Sequence, residues 1–129
     1  MAKLLSYVFI AGAILSVCSS STSKAADVTA GRGNELVQYC NYSKYQAKSV
    51  LWNYCVGYVS GVDNGFNLLI NVINEKNTYY CTPDDVTRQQ MALVVSKYLI
   101  EHPESLNIHS QYLILAAFTA AWPCPKTGK

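Results

Sequence analysis

The side chains able to do chemistry are few: five cysteines, the histidines His102 and His109, the adjacent acids Asp84 and Asp85, and Ser60. A cysteine–histidine hydrolase needs a free, activated thiol within reach of an imidazole. Cys40, Cys55, Cys81 and Cys124 form an even set that reads better as two disulfides in an exported domain. Zinc is disfavoured because no close Cys-x-x-Cys pair exists. Asp84 and Asp85 stand just before a helix start, where negative charge meets the positive end of the peptide dipole. Ser60 lacks the flanking glycines of a nucleophile elbow, since Tyr58 and Val62 occupy those positions. The expectation is a protein that is not an enzyme and needs no cofactor or metal.

The remaining polar and aromatic residues suit binding. Tyrosine offers large contact area at small entropic cost. The adjacent Tyr79 and Tyr80, beside the polar turn Glu75–Thr78, are the strongest interface candidates among the tyrosines. The other candidate is the connection from Glu101 to His109, with Glu101, His102, Glu104, Ser105, Asn107 and His109 as its polar members. It is short and joins two helices, and loops on rigid scaffolds often carry function. Its bland alternative is a plain helix–helix turn with Glu104 and Asn107 as caps.

Helices must position these residues. Glu35–Cys40 reads as a short helix after a loose, glycine-containing lead-in from Asp27 to Asn34. A longer one runs from about Gln46 to Asn74, with Val50, Leu51, Tyr54, Tyr58, Val62, Leu69 and Val72 near helical period. Gly57, Gly61 and Gly65 recur in it every four residues. Each glycine costs about 1 kcal/mol against alanine, so the row is expected to admit the close approach of another helix, or else to bend or break this one. Thr87 and Gln90 form a capping box ahead of the face Met91, Val94, Val95, Tyr98 and Leu99. Pro103 ends that helix at His102. A last helix runs from about Ile108 to Trp122, with Leu113, Ala116, Ala117 and Ala120 as packing positions. Alternating strand patterns are absent. The fold class is all-α, a compact bundle of four to five helices with two disulfides.

That topology bears on the cross-links. The last two helices should lie antiparallel, which brings Cys81 near Cys124 and leaves Cys40 to pair with Cys55. Pairing Cys55 with Cys81 and Cys40 with Cys124 is the alternative.

The first residues read as a leader. Met1–Lys3 is positive, Leu4–Val17 is apolar, and a small, polar stretch ends at Ala25, the expected cleavage site. The apolar run is shorter than the about 20 residues of a membrane helix. A rival reading is a lipid anchor at Cys18, where Leu15–Cys18 has the outline of a lipobox although Val17 fits it poorly. Residues 1–25 are thus expected to be a signal peptide and residues 26–129 one domain in the periplasm. Loss of Lys3 and Lys24 with the leader leaves eight basic and eight acidic side chains. Neither net charge nor a basic patch then argues for nucleic acid.

The order of these motifs resembles the Rap/Tai family of type VI secretion amidase immunity proteins. The matching points are Cys55-x-Gly57-Tyr58-x-x-Gly61, Cys81-x-Pro83, Val86-Thr87-x-x-Gln90, Val95-x-x-Tyr98-Leu99, His102-Pro103-Glu104-x-Leu106 and Pro123-Cys124. Asp84–Asp85, Asn107 and Trp122 depart from the family's common residues. The resemblance implies a periplasmic homodimer that binds a cognate secreted cysteine peptidase-like amidase and blocks its cleft. It also implies that a loop of the immunity protein enters that cleft, and Glu101–His109 is the segment placed there. The alternative is a stand-alone periplasmic helical adaptor or chaperone.

Overall fold

A computed structural model describes residues 30–45, 49–73 and 76–125. The expected leader, its cleavage site, Cys18 and the start of the domain at residue 26 lie outside the described residues. So do both expected ends of the long helix, Gln46 and Asn74, and Glu75 of the polar turn.

The described elements are helical: α1 (Gly33–Tyr39), a single turn α2 (Tyr42–Tyr45), α3 (Val50–Val72), α4 (Arg88–Glu101), a 3-10 turn (Pro103–Ser105) and α5 (Ser110–Ala121). An isolated bridge between Arg32 and His109 is the strand-like pairing among them. No described helix is long and apolar enough to cross a membrane. The all-α expectation holds.

Local chemistry explains the helix starts. Ser49 Oγ accepts from the amides of Leu51 (3.1 Å) and Trp52 (3.4 Å) at the head of α3. At the head of α4, Gln90 N donates to Thr87 Oγ1 at 3.2 Å and Thr87 N donates to Gln90 Oε1 at 2.8 Å. That reciprocal pair is the expected capping box. Before α1, Glu35 reaches back to accept from Gly31 N at 2.8 Å.

Packing runs in sequence around one core, with α3 against α4 and α4 against α5. Trp52, Val59, Leu36, Val95, Leu99, Ile114 and Phe118 are wholly or almost wholly buried, and each large apolar side chain so removed from water contributes about 1.5–3 kcal/mol. The α4 face differs from expectation: Ala92, Val95, Ser96 and Leu99 are its buried residues, while Met91, Val94 and Tyr98 pack partly buried beside them. On α5 the buried stripe is Ser110, Leu113, Ile114, Ala117 and Phe118. Ala120, expected to pack, is exposed, and Ala116 is only partly covered.

Both favoured cross-links form. Cys40 pairs with Cys55 (Cα–Cα 5.1 Å) and Cys81 with Cys124 (Cα–Cα 4.8 Å), so the alternative pairing is excluded. The antiparallel α4–α5 pair brings the second two together as its topology requires. Alongside, Cys81 N donates to Trp122 O at 2.9 Å.

The glycine row behaves differently from the expectation of close approach. Helix α3 runs unbroken through Gly57, Gly61 and Gly65. A Cβ built on any of the three would meet no atom within 4 Å. No described helix of this chain approaches the row, which lies bare on the outer face of α3.

The lead-in is likewise not loose from Ala30 onward. Ala30 is buried, and the chain from Gly31 to Asn34 is bonded along its length to the segment before α5.

Candidate functional site

The Glu101–His109 connection is built from the end of α4 outward. His102 N still donates to Tyr98 O at 3.0 Å, closing the last turn of α4. Pro103 cannot extend the helix, and the chain tightens into the 3-10 turn, with Ser105 N donating to His102 O at 3.1 Å. Ile108 N then donates to Ser105 O at 3.0 Å. The turn thereby satisfies much of its own backbone.

The rest is satisfied by residues 30–34, which lead into and open α1. The first amides of a helix have no partner within it. In α1 these donate across the molecule: Gly33 N to Ile108 O at 2.9 Å and Asn34 N to Leu106 O at 2.8 Å. Arg32 Nη1 donates to Asn107 O at 2.6 Å. In the reverse sense, Ser110 N donates to Gly31 O at 3.1 Å, and the buried Ser110 hydroxyl donates to Ala30 O. The carbonyls of Leu106, Asn107 and Ile108 are thus all held. Gly33 is required at the crossing, because a Cβ there would run into the Leu113 side chain and lie 3.0 Å from both Cα and O of Leu106.

With its backbone fixed, the loop presents side chains outward. Glu101, Glu104, Asn107 and His109 are exposed, and His102 and Ser105 are half-buried. His102 lies against Tyr98, with ring centroids 4.3 Å apart. His102 Nδ1 is 3.1 Å from Glu104 Oε1. The Glu104 carboxyl is held below the usual carboxylate range, first by its own backbone N–H and then by the His102 ring. Lys97 and Glu101 face each other at 3.8 Å on the α4 surface, an exposed pair worth little. Ile108 and Tyr112 add exposed apolar area on the same side.

Six of the expected site residues therefore share one firm loop, and the other two do not join it. Tyr79 and Tyr80 lie beside the Cys81–Cys124 bridge, at the opposite end of the α4–α5 pair, and α4 alone is about 21 Å long. Tyr79 is exposed, its ring edge-on to Phe66. Tyr80 is a correction: it is 2 % exposed and belongs to the core, between Phe66 and Phe118. Its hydroxyl donates to Asp63 Oδ1 at 2.7 Å. Burial, and then the hydrogen bond to Asp63, push its pKa well above the ordinary tyrosine value. The aspartate that draws Tyr80 inward is far away in sequence, so adjacency to a polar turn was a misleading signal.

The other reactive residues take structural roles. All four domain cysteines are bridged. Ser60 donates to Val56 O within α3 at 2.7 Å. No group of three or more potential metal-ligating His, Cys, Asp or Glu residues occurs among the described residues.

The family described as Rap1a immunity proteins matches residues 32–124, from the Arg32 that clamps the loop to the Cys124 that closes the second bridge. No curated protein and no solved structure matches the chain. With a helical, doubly bridged domain covered almost end to end by that match, the chain belongs to the Rap1a immunity protein family, whose members are not enzymes.

Proposed function

We propose that this protein is an exported periplasmic immunity protein that binds a cognate type VI secretion amidase and blocks its peptidoglycan-cleaving cleft with the Glu101–His109 loop. Family membership supports immunity to such an effector. The observation that carries the loop assignment is its pinning: three successive carbonyls, Leu106 to Ile108, are held by Arg32, Gly33 and Asn34. A loop ordered before binding loses little entropy on entering a cleft. It offers Glu104 and Asn107 outward, while the exposed His109 sets its Nδ1 3.3 Å from Gly31 O and so adds to the clamp. The blockade is steric and needs no chemistry from the inhibitor.

The protein acts as a homodimer in this reading. The outer face of α3 carries Val50, Gly57, Gly61, Gly65, Leu68 and Val72, all exposed, and bare glycines let a second copy's helix come close.

The test is co-expression of the exported chain with a periplasm-directed amidase of the same strain. Rescue from lysis, with a stable complex on size exclusion, is expected. The triple variant Glu104→Ala, Asn107→Ala and His109→Ala should fold yet lose rescue. Unchanged rescue by that variant would move the inhibitory surface elsewhere. Failure against every amidase of the strain would favour the adaptor or chaperone reading.

A further inference from the structure

At the Cys81–Cys124 end of the molecule lies a half-open cleft of about 340 Å³, lined by Asp63, Asn67, Asn77, Tyr80, Cys81 and Thr82. Its hydrogen bonding is unbalanced. Asp63 is 8 % exposed, and no described Lys or Arg pairs with it. Its Oδ1 accepts from Tyr80 OH at 2.7 Å and from Asn67 Nδ2 at 3.2 Å, while Oδ2 meets no described donor and keeps contact with solvent. Asn67 Oδ1 receives only a long contact of 3.5 Å from Asn77 Nδ2. The Thr82 hydroxyl oxygen is buried without a hydrogen-bond partner among the described residues. Buried polar groups are ordinarily satisfied, and buried charges ordinarily paired.

We propose that this cleft is a recognition socket for the protonated end of a lysine or arginine side chain on a protein partner. Open acceptors remain on Asp63 Oδ2, Asn67 Oδ1 and Thr82 Oγ1, and the one charge among the lining side chains is the unpaired Asp63 carboxylate. Ammonium and guanidinium groups carry donors, no acceptor and a positive charge. A hard metal ion asks for six or more oxygen ligands, commonly several carboxylates, and Asp63 is the one carboxylate here. A presented side chain suits the surroundings better than a free small amine, because exposed Tyr79 stands beside the opening on the same loop, and exposed tyrosine marks protein contact surfaces. The socket does not depend on which protein the partner is, so it stands or falls separately from the amidase reading.

The experiment follows the Asn67 and Asn77 side-chain amides of the intact domain by NMR while blocked tripeptides with central lysine, arginine or glutamine are added. Lysine and arginine peptides should shift these amides saturably, and the glutamine peptide should not. Asp63→Asn keeps an oxygen to accept from Tyr80, so it should remain folded while affinity falls at least about tenfold. A saturable shift lost in Asp63→Asn would establish the socket. Absence of a saturable shift, an equal response to the glutamine peptide, a stronger response to calcium chloride, or full affinity in folded Asp63→Asn would overturn it.

Discussion

Replacing Gly33 by alanine tests the link between the head of α1 and the proposed inhibitory loop. The new methyl would meet the Leu113 side chain and two backbone atoms of Leu106, both at 3.0 Å. Side chains can rotate away, but the Leu106 backbone is anchored by Asn34 N at 2.8 Å. Overpacking of this kind costs about 2 kcal/mol. Parting the two segments would also sacrifice the bonds from Gly33 N and Asn34 N, about 1 kcal/mol each. Against this stands about 1 kcal/mol of helix propensity gained over glycine. The net loss is about 3 kcal/mol, or about 12–24 °C in Tm for a domain of this size. Thermal unfolding by circular dichroism measures the total. Hydrogen exchange at Asn34 and Ser110 reads the junction itself and should accelerate more than exchange in the middle of α4. The reference is Gly61→Ala in dilute protein, where the methyl enters open space and stability should rise by up to about 1 kcal/mol. If Gly33→Ala also stabilised the domain, or left exchange at Asn34 and Ser110 unchanged, the proposed clamp would be wrong.

Two further outcomes follow. Alanine at Gly57, Gly61 and Gly65 together should raise the monomer's Tm yet weaken self-association, as seen by analytical ultracentrifugation; an unaltered dimer would remove this face from the interface. Tyr80 carries a pH signature: an acid whose folded pKa lies above its unfolded value favours folding fully below about pH 10, and that contribution is lost as pH rises through the folded pKa. Tyr80→Phe should therefore lower stability at neutral pH by about 1.5–3 kcal/mol for a hydrogen bond to a charged group and flatten the alkaline decline in urea unfolding. An unchanged alkaline slope would contradict the Tyr80–Asp63 assignment.

Local signals made several features legible. Thr87 and Gln90 are three residues apart and mark a helix start by a mechanism internal to one turn. Pro103 marks the helix end with equal economy. The Cys81–Cys124 pairing followed from two helices joined by a short connection. The failures share a different cause. The clamp on the loop consists largely of backbone bonds from Gly33 and Asn34, and backbone groups leave no signature in residue type. Gly33 is needed for a crossing with Leu106, far along the chain, whereas the conspicuous glycine row meets no packing neighbour among the described residues. Tyr80 differs from the interface role its sequence neighbours suggest because its buried partner, Asp63, sits on another element. On α5, Leu113 and Ala117 lie in the core as the sequence pattern indicates, beside the larger Ile114 and Phe118, whereas Ala116 and Ala120 lie partly or wholly outside it.

The clamp also bears on the order of events in folding. Its bonds join residues 75 and 80 positions apart, so they close a loop that encompasses most of the domain. Such closure costs chain entropy before any contact repays it, and contacts of long sequence separation slow folding. The α4–α5 hairpin can assemble from neighbouring sequence, but residues 106–109 acquire their final shape only once the first turn of α1 has docked on them. The loop is therefore finished late, and a chain arrested before Leu106 would hold α1 without the carbonyls its first amides bind.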